Sequence, residues 1–448
     1  MNQNYNCVPE FIESATNASI WQHAMTGAAL AANLTVQWCY AAPTDVLASL
    51  SMPALTNFRV STDFCYGSYI SACVRSHSPP PVLSALDWPP VSSHAPRPCP
   101  FSGHSWDIGV SSLLVWAVGA APSKDTLWTS ENGRFAVPGC SWTADHEAPA
   151  AELHVVLSLM STGPVGISDE IGMTNTSLIR RTIAADGTLL KPSKPLTSVD
   201  SALAAGATGS TAAAAYNSNN NNAAVAAAAT ASTNATASFS LRAGPAAAAN
   251  TRSPPGRPPP PGYVYTTYVS GSADGNGGVP LAWQFVSFKM TAAWAVPAAD
   301  FYPPLPPGTK VVHRRYHAPP CVNGSSATSC GVAKGGGASA VLELPPSDQS
   351  NVTGGTDFAP AIASVWPVCA ESGWILMGEL DKYVPLSPDR FATAGCTATG
   401  VKATVVGSAG GAVAVTMISP AGVVLVRTAT LDAGGRGAVT SDAAGVNA

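Results

Sequence analysis

The chain has 448 residues, enough for about two or three domains, and a formal net charge of −4. Hydrophobic residues make up 46% and charged residues only 11%, against roughly 25% in an average globular protein, so a core is available and a basic footprint for nucleic acid is not. No apolar run reaches the roughly 20 residues of a membrane-spanning helix: Val110 to Ala121 is short, and the run near Val413 to Val426 is broken by Pro420.

In chain order, Ile20 to Ala32 reads as a helix with Ile20, Trp21, Ala24, Met25 and Ala28 inward. Leu34 to Tyr40 is β-prone and ends before Pro43; Thr44 caps a helical piece through Leu50. Thr56 to Val60 is the next strand. Phe64 to Ser105 is long and Pro-rich and reads as an insertion, tied down by Cys65, Cys73 and Cys99. Ser105 caps a buried helix over Trp106 to Ala120, and Asp125 to Thr129 is a strand. Leu153, Val156, Leu157 and Met160 form one helical stripe, which Gly163-Pro164 ends. Val165 to Ser168 has the apolar texture of a buried parallel strand. Thr174 or Asn175 caps a last helix with Leu178, Ile179, Thr182 and Ile183 on one face and Gly187 as its C′ residue. The strands end near Tyr40, Asp63, Thr129 and Asp169, which makes four strand–helix units. A closed barrel of this kind needs eight.

Residues 201–262 are low-complexity, with Ala runs, an Asn tract at Asn217 to Asn222 and the sequence PPGRPPPPG; they read as a linker or insertion. From Tyr263 the texture changes to alternating runs such as YVYTTYV, LAWQFVSFKM, AVAVTMI and GVVLVRTATL, separated by Gly and Pro turns, which predicts an all-β domain of sandwich type. The expected organisation is therefore a partial (β/α) barrel over 1–200, the low-complexity segment over 201–262 and a β-sandwich over 263–448.

None of the 10 cysteines forms a CxxC pair, which argues against a zinc ribbon. Cys321 and Cys330 lie in a Gly/Ser loop, and a bridge between them would close a short segment with little core of its own. Sequons begin at Asn17, Asn33, Asn175, Asn234, Asn323 and Asn351. Cysteines and sequons together point to the secretory pathway. Residues 1–20 lack the charged and apolar regions of a signal peptide, so either the protein is cytosolic or its true N-terminus lies upstream.

Several strand ends carry specific words. Arg59-Val60-Ser61-Thr62-Asp63 resembles the R-x-S-x-D element of the α-galactosidase and raffinose synthase clan of glycoside hydrolases. Gly163 to Gly172 (GPVGISDEIG) is similar to the clan's element after its last barrel strand, and Asp186 to Pro192 (DGTLLKP) to the element that follows it. Val36 to Pro43 looks like the fifth strand of that barrel and Ser123 to Trp128 like the seventh. The resemblance is to a remote branch. It covers residues 20–200 in motif and 263–448 in architecture, since a C-terminal β-sandwich is also what the clan carries.

The resemblance implies the C-terminal half of a (β/α)8 barrel followed by a β-sandwich. It also implies a retaining glycosidase acting on α-linked carbohydrate with no metal or organic cofactor. Asp63 takes the place of the general acid/base; the alternative for it is a helix or turn cap on a loop entrance. The clan's nucleophilic Asp falls where Asn4 stands. Retaining hydrolysis needs two carboxyl groups roughly 5–5.5 Å apart, and an amide cannot form the glycosyl ester. The chain then reads as part of a larger enzyme, or as an inactive copy.

Arg59 either holds a substrate hydroxyl or Asp63, or serves as a salt-bridge partner in the barrel. Trp38, Tyr40 and Trp128 at strand ends either stack on a sugar or pack the barrel. Lys124 and Asp125 contact substrate or form a structural pair, and Asp169 touches substrate or caps the following turn. His313 and His317 have i, i+4 spacing but lie in a Pro-rich β region, which disfavours a metal site. Gly103 to Asp107 (GHSWD) misses the last glycine of a nucleophile elbow. Two further functions stand beside the hydrolase: a non-catalytic carbohydrate-binding relative, and a structural extracellular-matrix glycoprotein.

Overall fold

Successive residues of a strand face opposite sides of a sheet, and the first strand pairs of this protein use that rule to separate polar from apolar. The structure is a computed structural model that describes residues 15–39, 43–61, 108–127, 129–130, 151–202, 260–271, 280–288, 290–335, 341–347 and 360–441. It divides into two compact units, Met1–Asn175 with Thr353–Gly355, and Thr176–Val352 with Thr356–Ala448.

The first unit is mixed α/β. Its elements are α1 (Ala15–Ala31), β1 (Val36–Cys39), α2 (Pro43–Ala48), β2 (Leu55–Arg59), α3 (Ile108–Ala117), β3 (Ala121–Ser123) and α4 (Ala151–Met160). β1, β2 and β3 form a parallel sheet in that order. A parallel bridge between Leu127 and Ile167 continues the pairing: Leu127 N–H donates to Gly166 O at 3.0 Å and Ser168 N–H to Leu127 O at 2.8 Å. The parallel segments thus follow chain order. Among the described residues they form no closed barrel.

Several expectations shift. The strand expected at Asp125 to Thr129 starts earlier, at Ala121, and among the described residues of the expected span only Leu127 pairs. Side chains take the backbone groups a ladder would use there: Ser61 Oγ accepts the Asp125 N–H and Asp125 Oδ1 accepts the Thr126 N–H. α1 is rotated from the expected face. Ile20 is 66% exposed, while Gln22 and Thr26 are buried. These two polar residues tolerate burial because Gln22 Nε2 donates to Asp45 Oδ1 at 2.7 Å and Thr26 Oγ1 to Gln22 O at 2.8 Å. α4 is not amphipathic: every residue from Leu153 to Met160 is buried, His154 and Ser158 included.

In the second unit, α5 (Thr176–Arg180) is one short turn of helix and does not reach Ile183. Ile183 instead bridges Leu189 in antiparallel fashion, and Gly187, at φ +87°, sits in the turn between them rather than closing a helix. Strands β4 (Thr197–Ser198), β5 (Tyr263–Val269), β6 (Ala282–Phe288), β7 (Trp294–Val296), β8 (Val311–Arg315), β9 (Ala333–Lys334), β10 (Leu342–Leu344) and β11 (Ala361–Pro367) follow. The last strands are β12 (Ile375–Gly378), β13 (Phe391–Cys396), β14 (Val401–Val406), β15 (Ala412–Ile418), β16 (Val424–Thr430) and β17 (Arg436–Thr440).

These strands make a six-stranded sheet in the order β4-β5-β6-β11-β8-β9, a pair β10-β7, and two three-stranded sheets, β12-β15-β16 and β13-β14-β17. Every pairing among them is antiparallel, as the alternating runs predict. β4 ties residues 197–198, which the sequence places with the α/β part, to β5 of this unit. One core cluster joins Val264, Trp283, Phe285, Ala363 and Val365 of the large sheet to Trp294, Val296, Leu342 and Leu344 of the small one.

Cys321 and Cys330 are bridged, as expected from their spacing. Arg314 buttresses the same loop, donating to the carbonyls of Cys330, Ala318 and Pro319 at 2.9–3.0 Å. A second bridge, Cys369–Cys396, was not foreseen. The insertion with Cys65, Cys73 and Cys99 and most of the low-complexity tract lie outside the described residues.

Lys194 is buried, with Nζ 2.9 Å from Thr197 Oγ1 and 3.6 Å from the Tyr302 ring centroid. Burial pushes its amine down from 10.5 to about 8. Between these values the unfolded chain carries a proton that the folded chain does not, so stability rises with pH from about 8 to about 10.5 and the gain is absent below. Lys194→Met should remove that rise. Thermal melts of both proteins between pH 7 and pH 10 check it, and parallel pH profiles would show that Lys194 is not its source.

Candidate functional site

In parallel α/β sheets, ligands meet the C-terminal ends of the strands. Here Trp38 and Phe58 face the helices, in a cluster with Val46, Met52, Leu55 and Val115. The residues on either side of them therefore face the opposite side of the sheet, and they are polar: Gln37 on β1, Asn57 and Arg59 on β2.

Side-chain hydrogen bonds knit that face across the strands. Gln37 Nε2 donates to Ser123 Oγ at 3.0 Å, and the Ser123 hydroxyl lies 3.2 Å from Asn57 Oδ1 and from Phe58 O. Asn57 Nδ2 donates to Ala121 O at 2.5 Å. One step further toward the strand ends, Arg59 Nη1 is 3.1 Å from Asp125 Oδ2, with side chains 12% and 19% exposed. Ser61 Oγ supports the pair from beneath by accepting the Asp125 N–H at 2.8 Å. β2 and β3 bring Arg59 and Asp125 together because Arg59 is in register with Ser123, two residues before Asp125.

At the last parallel segment, Asp169 accepts from Thr129 twice: N–H to Oδ1 at 2.8 Å and Oγ1 to Oδ2 at 2.5 Å. Thr129 Oγ1 in turn accepts the Asn175 N–H at 2.7 Å. Asp169 thus fastens the neighbouring strand end.

The expected site residues are placed as follows. Arg59 and Asp125 meet in one ion pair. Lys124 is buried beside them. Trp38 is 3% exposed and packs edge-on against Trp21, with centroids 6.0 Å apart; it is a core residue and offers no face to a sugar. Asn4, Tyr40, Asp63 and Trp128 lie outside the described residues. His313 belongs to β8, and no group of three metal-ligating side chains occurs among the described residues.

Gln37, Asn57, Ser61 and Ser123 were not foreseen. Their signal is in the sequence, as polar residues at alternate positions of otherwise apolar strands, but partners 64 to 86 residues away are set only by strand pairing. No family model matches the chain, and no curated protein matches it.

Proposed function

We propose that the chain is a glycoside hydrolase-like protein whose parallel unit recognises α-linked carbohydrate at its strand ends and is catalytically incomplete by itself. The observation that carries this reading is the polar face of the parallel sheet. Parallel sheets normally bury apolar residues on both faces. Gln37, Asn57, Arg59, Ser61, Ser123 and Asp125 break that rule on the side that would line the interior of a closed barrel. Hydroxyls, amides and a charged pair are the groups that read sugar hydroxyls.

The four parallel segments in chain order support a half-barrel, with closure requiring four more strands than are described. The packing of the two-stranded pair on the six-stranded sheet supports a sandwich-type second unit. Resemblance of Arg59 to Asp63 to the R-x-S-x-D element of the α-galactosidase clan gives Asp63 the acid/base role; it lies two residues beyond Ser61. Asn4 at the nucleophile position favours a second reading, a carbohydrate-binding protein without turnover. Two disulfides fit an oxidising compartment. No helix among the described residues is long and apolar enough to cross a membrane.

Without the second carboxylate, a general acid supplies about 10² to 10⁴ of rate, far below what enzymes achieve at slow bonds. The chain alone should therefore leave nitrophenyl α-galactoside and α-glucoside uncleaved. Robust release of nitrophenol by the purified chain would refute the half-enzyme reading.

A further inference from the structure

The second unit contains an open cleft of about 1500 Å³ that the strand-end chemistry of the first unit does not use. Tyr268 and Ser270 at the end of β5, Lys310 before β8, Glu371 after β11, and Phe391 and Thr397 at the two ends of β13 line it. The Cys369–Cys396 bridge joins two of its walls, since both cysteines border the cleft. The bridge holds those two walls together covalently.

The aromatic wall includes Tyr268, which packs against a neighbouring tyrosine. The Tyr268 ring is 6.1 Å from that of Tyr302, tilted by 54°. Tyr302 is 39% exposed, and the next residue, Pro303, lines the cleft. The Lys194 ammonium sits 3.6 Å from the Tyr302 centroid and is itself held by Thr197, which fixes the ring in place. The lining also holds three Ser/Thr hydroxyls, one amine and one carboxylate, on Ser270, Thr309, Thr397, Lys310 and Glu371. An anion or a cation would meet one like charge among them. A neutral ligand with apolar faces and hydroxyl edges meets complementary groups throughout. The volume exceeds the roughly 300–1000 Å³ of a small-molecule pocket, leaving space for several sugar rings.

We propose that this cleft binds a neutral oligosaccharide, a carbohydrate site apart in the chain from the strand ends of the parallel sheet. The choice of α-linked probes rests on the functional reading above; the cleft geometry does not.

The test is calorimetric titration of the full chain with α-linked galacto- and gluco-oligosaccharides, for the native protein and for Tyr302→Ala, Glu371→Gln and Arg59→Met. Expected is binding that weakens at least about fivefold in Tyr302→Ala and in Glu371→Gln. Glu371→Gln serves if Tyr302→Ala fails to fold. No heat of binding at about 10 mM oligosaccharide would overturn the proposal. So would binding of an extended uncharged peptide, along the open edge of β13, in place of sugar. Binding lost in Arg59→Met but kept in both cleft variants would place the sugar at the strand ends; the cleft proposal would then fall while the functional reading stood.

Discussion

Replacing Glu379 by alanine is expected to lower the unfolding free energy of the second unit by about 3–5 kcal/mol. Glu379 and Arg390 are both buried, with Arg390 Nε 2.9 Å from Glu379 Oε2 and Nη2 3.5 Å from Oε1. Burial pushes the Glu379 carboxyl up, opposed by its bond to Arg390. Arg390 also donates to Val406 O at 2.8 Å, so the pair links the turn before β13 to the end of β14. Truncating the acid leaves a guanidinium inside the protein with half its partners. The double change Glu379→Leu with Arg390→Met removes both charges and should cost far less, because desolvation no longer opposes burial. Urea titrations with separate fits of midpoint and slope decide the matter. Equal losses for the single and double variants would mean that packing, not charge, sets the cost.

Gly163→Ala is the second large effect, and it acts on the candidate site. A Cβ at this position would lie 2.4 Å from Pro122 O and 2.7 Å from Ser123 Cβ. Neither can give way cheaply: one is backbone of β3, and the Ser123 hydroxyl serves Gln37, Asn57 and Phe58. Overpacking of this kind costs about 1–3 kcal/mol. The displacement should spread to the Arg59–Asp125 pair, two residues beyond Ser123. Thermal melts give the stability loss. A melt unchanged from the native protein would show that the turn at Gly163 has room that the contact distances deny.

The sequence was most legible where one element decides the outcome alone. The β-prone runs from Tyr263 onward are separated by Gly and Pro turns, and β5, β6, β15 and β16 lie within them. Cys321 and Cys330 are close in the chain, so their bridge follows from spacing; Cys369 and Cys396 are 27 residues apart and meet only through the fold. Helix faces were less legible. Hydropathy puts Ile20 inside and Gln22 outside, but Asp45 supplies a partner that makes Gln22 the buried one. α4 shows the opposite failure, since its apolar stripe widens to all sides once neighbours cover it.

At the candidate site, Arg59 and Asp125 were both visible as residues, but not as partners, because β2–β3 register joins them. The position of Trp38 near a strand end leaves both sugar stacking and packing open. Parity along β1 decides instead: Trp38 shares the helix-facing side with Trp21, and Gln37 takes the polar side.

The most direct measurement joins four further strand–helix units to the chain, with an Asp at the position of Asn4, and follows cleavage of an α-galactoside reporter. Expected is turnover that Asp63→Asn lowers by at least about 10²-fold while the protein stays folded. Turnover that survives Asp63→Asn would contradict the assignment of Asp63 and, with it, the reading of the polar sheet face as half of a sugar-cleaving site.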